Sequence, residues 1–497
     1  MKILLVYPLY PQTFWSFRYC LKFVARKAAF PPLGLLTVAS LLPPDWEKRL
    51  ADENVAPITD EQLLWADLVM VSAMIVQKSS AERLIERAQA LGKVVVAGGP
   101  LFSSQPDKFP QVDHLVLNEA EVTLPQFLAD WFRGKPKPRY ESGKRPPLSA
   151  TPIPMWSLVK LRDYATLLVQ YSRGCPFDCE FCDITVMNGR NPRVKSVAQM
   201  MAEFDALYDL GWRGSVFVVD DNFIGNRREV RKMLPELVAW QKRHRYPFKF
   251  LTEASVNLAG DVELMTLMSK ANFGDLFLGL ETPCAESLQE AGKTQNAGLD
   301  LRSAVNELQR RGFTVMGGFM VGFDHDNPQT IFRDQLAFIQ EAGVPVAMVG
   351  MVMALPGTRL WQRLRDEGRL IKESSGSNTT GETNFLPVMG MDNLVNGYRD
   401  LLLSLYSAKN YFRRVETELR NYRSKIVGRC SLNDLAALFK SAVHIGILSE
   451  ARWRYWRLLA KTALTRPKAM HIAVQQAILW PHFRKVALLA QGQQTDN

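Results

Sequence analysis

The chain has 497 residues, 47% of them hydrophobic and 22% charged, and a net charge of +11. That length allows two or three domains, each with its own core, and six cysteines in such a chain exclude a small disulfide-stapled secreted module. The apolar share is that of an ordinary globular protein, which excludes wholesale disorder. Sparse cysteines point to a reducing, cytoplasmic compartment, and the excess of Lys and Arg to an anionic partner or surface.

The opening "MKILLVYPLYP" has no small-residue cleavage site and reads as a buried strand rather than a signal peptide. No stretch approaches the roughly 20 apolar residues of a membrane helix. After "KILLVY" the sequence predicts a helix at "PPLGLLTVASLLP", a strand at "ADLVMVSAM" and a helix at "SSAERLIERAQALG". A third strand follows at "KVVVAGGP", then a strand and helix within "VDHLVLNEAEVTLPQFLADWF". Near-continuous apolar strands alternating with helices predict a parallel, doubly wound sheet, whose ligands sit beyond the carboxyl ends of the strands. Residues 133–154, rich in proline, glycine and charge, read as a linker.

Six further strands are predicted near Leu167–Ser172, Ser215–Val219, Lys249–Glu253, Asp275–Gly279, Thr314–Val321 and Ala347–Met353. With helices between them they predict a (β/α) barrel or partial barrel, whose active site forms at the carboxyl ends of its strands. "SSGSNTTGETN" reads as a flexible polar break, followed by helices rich in Arg, Trp and Leu. The expected fold class is thus α/β. A Rossmann-like domain occupies residues 1–135, a linker 136–160, a (β/α)6 partial TIM barrel 161–370 and a mainly helical domain 371–497. No phosphate loop of the G-x-x-x-x-G-K-[ST] type and no G-x-G-x-x-G fingerprint occurs.

"YSRGCPFDCEFCDI" places Cys175, Cys179 and Cys182 directly after the first barrel strand, while Cys20, Cys284 and Cys430 are scattered singly. A disulfide would leave one of the three thiols over. A structural zinc site wants four Cys or His ligands, and the nearest histidine in sequence is His114. A [4Fe–4S] cluster normally takes four thiolates, so three would leave one iron open to an outside ligand.

The C-x3-C-x2-C spacing on a loop after a barrel strand resembles the radical SAM superfamily. The resemblance implies a [4Fe–4S] cluster on Cys175, Cys179 and Cys182, with S-adenosylmethionine (SAM) on the open iron and Phe181 beside its adenine. "VVDDNF" stands where the family usually reads Gly-Gly-Glu, which would place Asp221 or Asn222 near the SAM amino group. Glu253 and Ser255 in "LTEASVN" and Glu281 in "LGLETP" close the next two strands, where carboxylates hold ribose hydroxyls or the ammonium by charge-assisted hydrogen bonds. Gly317 and Gly318 match a glycine-bearing fifth strand that lets backbone approach SAM. No residue acting on the substrate itself is assigned.

The leading domain resembles the cobalamin-binding group of that superfamily, through "PPLGLLTVASLL", the Gly98-Gly99-Pro100 turn, and "NEAE" where relatives read Gly-Glu-Gly-Glu. It departs from the Asp-x-His-x-x-Gly cobalamin motif, because no histidine precedes His114. The resemblance therefore implies a corrin without a histidine on its lower face. The basic, aromatic C-terminus, with Arg452, Arg454, Arg457 and Lys461 beside Trp453, Tyr455, Trp456, Trp480 and Phe483, suits an anionic membrane surface. A helical cap with its arginines in water is the plainer reading. Nucleic acid is disfavoured because no recognisable RNA-binding module is attached.

The whole layout resembles the group that includes the hopanoid C-2 methylase. It implies a cobalamin-dependent radical SAM methyltransferase acting on an unactivated carbon of a small molecule or hydrophobic polycyclic lipid, with an external electron donor of flavodoxin or ferredoxin type. Two other readings stand beside it: a radical SAM cyclase or ring-rearranging enzyme with redox-active or absent cobalamin, and an iron–sulfur sensor binding nucleic acid through its basic tail.

Overall fold

The computed structural model describes residues 1–423 and 432–490; Cys430 lies outside the described residues. Six strands form a first, all-parallel sheet: β1 (Lys2–Tyr7), β2 (Glu47–Asp52), β3 (Leu68–Ser72), β4 (Val94–Gly98), β5 (His114–Val116) and β6 (Arg139–Tyr140). Their order in space is β2-β1-β3-β4-β5-β6. Ile3 and Leu5 enter one core with Leu35 and Leu124, while Leu4 and Val6 enter the opposite one with Leu84 and Ile85. Burial on both faces explains why the inner strands read as unbroken apolar runs.

The two edge strands were not expected. β2, "EKRLAD", is charged because half of it faces water. β6 comes from the segment expected to be a linker, pairing Leu115 with Arg139 and Val116 with Tyr140. That segment also packs: Tyr140, Leu148 and Trp156 are buried, and Met155 N–H donates to Leu36 O at 3.0 Å.

The second sheet contains β7 (Leu167–Val169), then, past the antiparallel two-residue ribbon β8 (Ser172–Arg173) and β9 (Arg193–Val194), β10 (Ser215–Val218), β11 (Lys249–Ala254), β12 (Phe273–Glu281), β13 (Thr314–Val321) and β14 (Ala347–Met351). These six parallel strands run β7-β10-β11-β12-β13-β14 in chain order, a partial barrel close to the expected one. Register puts Leu168, Phe217, Leu251, Glu253, Phe277, Met316 and Met348 on one face. The other face, with Val216, Leu276 and Val349, is fully buried.

Five helices follow: Met391–Tyr406, Ala408–Asn421, Leu432–His444, Arg452–Thr465 and Met470–Leu489. The last closes the barrel floor: Gln475 lies 3.2 Å from Lys249 and 3.5 Å from Asp275, at the start of β11 and near the start of β12. Phe483 stacks on Phe14 at 4.5 Å, and the adjoining Trp15 meets Phe277 at 5.1 Å.

The polar segment 374–384 is not the flexible break its composition suggests. Ser374, Ser377, Thr379, Thr383 and Asn384 are buried. Asn384 accepts from Ala354 N–H at 2.9 Å, Asn378 O accepts from Met351 N–H at 2.8 Å, and Gly376 packs on Ile75 of the first domain. Its hydroxyls and amides satisfy buried backbone at the end of β14, which is why a polar sequence is buried there.

Candidate active site

The cysteine loop is held from both ends. Gly174 has φ 102°, and a Cβ there would stand 2.7 Å from Gly189 O, so only glycine suits the turn. Its N–H donates to Asp221 at 3.0 Å, and Asn188 donates to the same carboxylate oxygen at 3.0 Å. Asp220 accepts from Tyr171 N–H at 2.7 Å and Ser172 Oγ at 2.6 Å. Burial pushes Asp220 up to about 7 and raises Asp221. The far side is pinned by Glu180 N–H on Ala291 O at 2.8 Å and Leu360 N–H on Glu180 O at 3.0 Å.

Cys179 is buried; Cys175 and Cys182 are half-buried. Burial raises the Cys175 thiol and pushes Cys182 up to about 12, so both are protonated until a metal displaces the protons. All five described cysteines are free. Among the described residues, no three Cys, His, Asp or Glu side chains converge as a site for one metal ion.

The expected strand-end residues fall into two groups around the thiols. Asn222 is buried beside Cys175, its Nδ2 3.9 Å from Sγ, and accepts from Ser255 N–H at 3.2 Å. Glu253 lies on the inner face of β11, and burial first, then Asp221 and Asp220, push it up to about 8. Glu281 sits at a bulge with φ 61°, its carboxylate 2.5 Å from Lys293 Nζ. A Cβ at Gly279 would collide with both partners of that ion pair, which explains the glycine there.

Lys293, Gln295 and Asn296 escape a reading of the sequence. Burial pushes the Lys293 ammonium down, but Glu281 outweighs it, with Cys179 and Cys182 adding to the hold as thiolates, and the ammonium is kept above its usual range. Gln295 Nε2 lies 3.5 Å from Cys179 Sγ. Gln295 Oε1 and Asn296 Oδ1 are buried without a hydrogen-bond partner. The polar run "GKTQN" after a short helix is the only sequence signal, and it looks like any loop.

The remaining expected residues are placed as follows. Phe181 lies 6.2 Å from Phe323 and under Lys293 Nζ at 5.7 Å. The space above Gly317 and Gly318 is taken by the rings of Phe319 and Phe277. Gly98 lets β4 approach Val116 O, and Gly99, at φ 89°, lets it pass Ser72 Oγ; Pro100 starts the helix Pro100–Ser104. "NEAE" bridges the domains: Glu119 binds Arg173 at 2.8 Å and Arg193 at 2.6 Å, and Glu121 binds Arg173 at 2.8 Å. Together with Gly376 on Ile75, these contacts bring the carboxyl ends of the two sheets face to face.

Residues 23–128 match the B12 binding domain, 169–334 the radical SAM superfamily and 358–496 a domain of unknown function, DUF4070. An uncharacterized methyltransferase of Synechocystis sp. is 43% identical, over 92% of this chain and 86% of its own. The hopanoid C-2 methylase of Rhodopseudomonas palustris is 35% identical, over 84% of this chain and 79% of its own. Two solved structures share the fold. The cobalamin-dependent SAM radical enzyme OxsB has a TM-score of 0.62 at 15% identity, covering 99% of this chain and 80% of its own. The radical SAM methyltransferase TsrM from Kitasatospora setae has a TM-score of 0.60 at 13% identity, covering 96% and 98%. A thiol loop at the mouth of a parallel partial barrel, faced by a doubly wound sheet, is the layout these relatives lead one to expect, and the chain belongs to their family, the B12-binding radical SAM proteins that include the hopanoid C-2 methylase.

Proposed function

We propose that the chain is a cobalamin-dependent radical SAM methyltransferase that methylates an unactivated carbon of an apolar, ring-bearing lipid of the hopanoid kind. The observation that carries the substrate class is the barrel's inner face. Phe217, Leu251, Phe277, Met316 and Met348 are partly accessible there, although the first four lie on strands flanked by strands on both sides. An ordinary barrel interior is packed solid; this one leaves partly accessible side chains that are apolar apart from Glu253, with Trp15 and Phe30 closing in on Phe277 and Phe217.

The residues present fit the expected groups. Three thiols on one anchored loop, with the Lys293 cation beside two of them, suit an iron–sulfur cluster better than a single ion. Asn222, Ser255, Glu253 and Lys293 offer donors, an acid and a cation around the thiols, matching the mixed charges of an amino acid sulfonium. The carboxyl edge of the first sheet, with Gly98, Gly99 and Pro100, suits a corrin. His114, the one histidine in residues 1–135, lies at the opposite end of β5, bonded to Lys137 O at 2.7 Å, and so does not reach that edge. When bound, these groups supply one-electron cleavage of a sulfonium and a transferable methyl.

The chain's own part is placement. Glu253, pushed up to about 8, keeps an O–H donor at neutral pH. Trp15 and the helix Met470–Leu489 close the amino end of the barrel, which would keep water from entering the apolar interior from that side. An acidic one-electron carrier of flavodoxin or ferredoxin type would meet the exposed Val186 and Met187 next to the cysteine loop, with Arg145 beside them and Arg190 and Arg359 sharing the single carboxylate of Asp178.

The test is anaerobic reconstitution with iron, sulfide and hydroxocobalamin, followed by incubation with methyl-labelled SAM, a reductant and a hopanoid acceptor. The expected result is cobalamin retained through gel filtration, labelled methyl in the product and one 5′-deoxyadenosine per methyl. Deoxyadenosine formed without label in the product would favour the cyclase reading and sink this one.

A further inference from the structure

The sequence points to a basic stripe as the membrane contact; the structure relocates it. Arg457 and Lys461 share the single carboxylate of Glu416, at 3.8 and 2.8 Å, so one of the four charges of that stripe is locally offset and both side chains are tied back to the protein. Of the aromatics once grouped with it, Tyr455, Trp480 and Phe483 are core residues. What remains in water is different. The helices Leu432–His444 and Arg452–Thr465 meet near the connection between them, where Ser441 Oγ lies 2.8 Å from Tyr455 Oη; at that turn Ile447 is 58% exposed, Leu448 71%, Trp453 76% and Trp456 45%, with Phe439, 71%, further back on the first helix. Four large exposed apolar side chains between residues 447 and 456 are more than the single scattered residues a soluble surface carries.

We infer that this turn docks the protein on an anionic lipid bilayer, Ile447 and Leu448 entering the acyl boundary and Trp453 and Trp456 lying at headgroup depth. The inference rests on the lipid-substrate reading for its purpose, but not for its physics. Trp456 is pinned beside the apex, its indole N–H donating to Gly446 O at 2.9 Å, so the turn is preformed. Indole rings favour the level where one end is apolar and the other wet. Arg452, 6.0 Å over the Trp453 ring, and the exposed Arg454 stand on the same end of the helix, placed for lipid phosphates. The nearby acid, Glu450, is held by Arg484 at 3.1 Å, which leaves the rim cationic. A second copy docked symmetrically here would bring these arginines against their own counterparts, whereas anionic headgroups complement them.

The test is co-sedimentation of the full chain with vesicles of phosphatidylglycerol and phosphatidylcholine, and with phosphatidylcholine alone. The triple variant Ile447→Ser, Leu448→Ser, Trp453→Ser should bind anionic vesicles at least about tenfold more weakly. Arg457→Gln with Lys461→Gln should change binding less than about twofold, and all three proteins should unfold at the same temperature. Tryptophan emission of the wild type should shift to the blue on vesicles. Wild-type protein that ignores anionic vesicles at low salt overturns the inference. So does a triple variant that binds as well as wild type, or one that becomes monomeric where wild type is a dimer. None of these assays contains acceptor lipid, so failure of the methylation assay with vesicle binding intact would count against the proposed substrate alone.

Discussion

Lys293 and Glu281 concentrate the energetics of the site in one ion pair. Both are buried, and their partner-dependence is mutual: Glu281 lies at a positive φ that any L residue adopts at a cost, and Lys293 sits among thiols in surroundings that disfavour an isolated charge. Removing one partner leaves the other charge uncompensated, which costs about 3–5 kcal/mol, whereas removing both can be close to neutral. Lys293→Met should therefore lower the unfolding midpoint sharply, and Lys293→Met with Glu281→Gln should restore most of it, measured by denaturant titration of the metal-free protein. The double variant should still fail to cleave SAM. Recovery of stability without recovery of cleavage separates a functional cation from a merely structural pair.

Among the elements, the segment 374–384 decides how the barrel mouth meets the first domain. It contains hydroxyls, amides and glycine, a composition typical of exposed loops. Its burial arises because β14 and the loop after it offer backbone groups that only short polar side chains reach, as Thr383 Oγ1 reaches Val352 O at 2.8 Å. Gly376 is the tightest point: φ is 72°, and a Cβ would lie 2.7 Å from Ile75 Cβ. Gly376→Ala should destabilise by about 1–3 kcal/mol through strain and overpacking. Gly368→Ala, at φ 68° with open space around it, isolates the backbone strain alone. The difference between the two in chemical denaturation measures the contact with the first domain; equal effects would mean that contact contributes nothing.

For the molecule as a whole, the contact between the two sheets sets whether two cofactor-bearing edges can serve one substrate. Glu119 and Glu121 clamp Arg173 and Arg193, which lie on the β8–β9 ribbon on either side of the cysteine loop. Burial works against the Glu121 charge, but the Arg173 bonds outweigh it and keep the carboxylate below its usual range. Glu119→Gln with Glu121→Gln should cost roughly 2–4 kcal/mol, less than a fully buried pair because the arginines retain some water contact. Proteolysis between Glu141 and Lys144, an exposed stretch, should accelerate. Cluster absorbance should persist while methyl transferred per deoxyadenosine falls. An unchanged ratio would mean the clamp plays no part in coupling the two halves.

Much of this was legible in the chain itself, because the signals are local. Strands buried on both faces must be continuous apolar runs, so nearly every inner strand of both sheets could be read off. Three thiols in eight positions can be recognised without a fold, since their spacing is dictated by one loop. The edge strands β2 and β6 could not be read, because an edge needs pairing on one side only and its sequence is free to be charged or proline-rich. Lys293, Gln295 and Asn296 were invisible for another reason: Lys293 and Gln295 reach the thiols across more than 110 residues of chain, Asn296 binds the end of β12 beside them, and only the closure of β7 through β12 brings them there. The tail divides the same way. Composition showed that it was basic and aromatic, but whether a given Trp or Arg faces core, carboxylate or water depends on how the last helix packs beneath the barrel, which is a property of the tertiary structure alone.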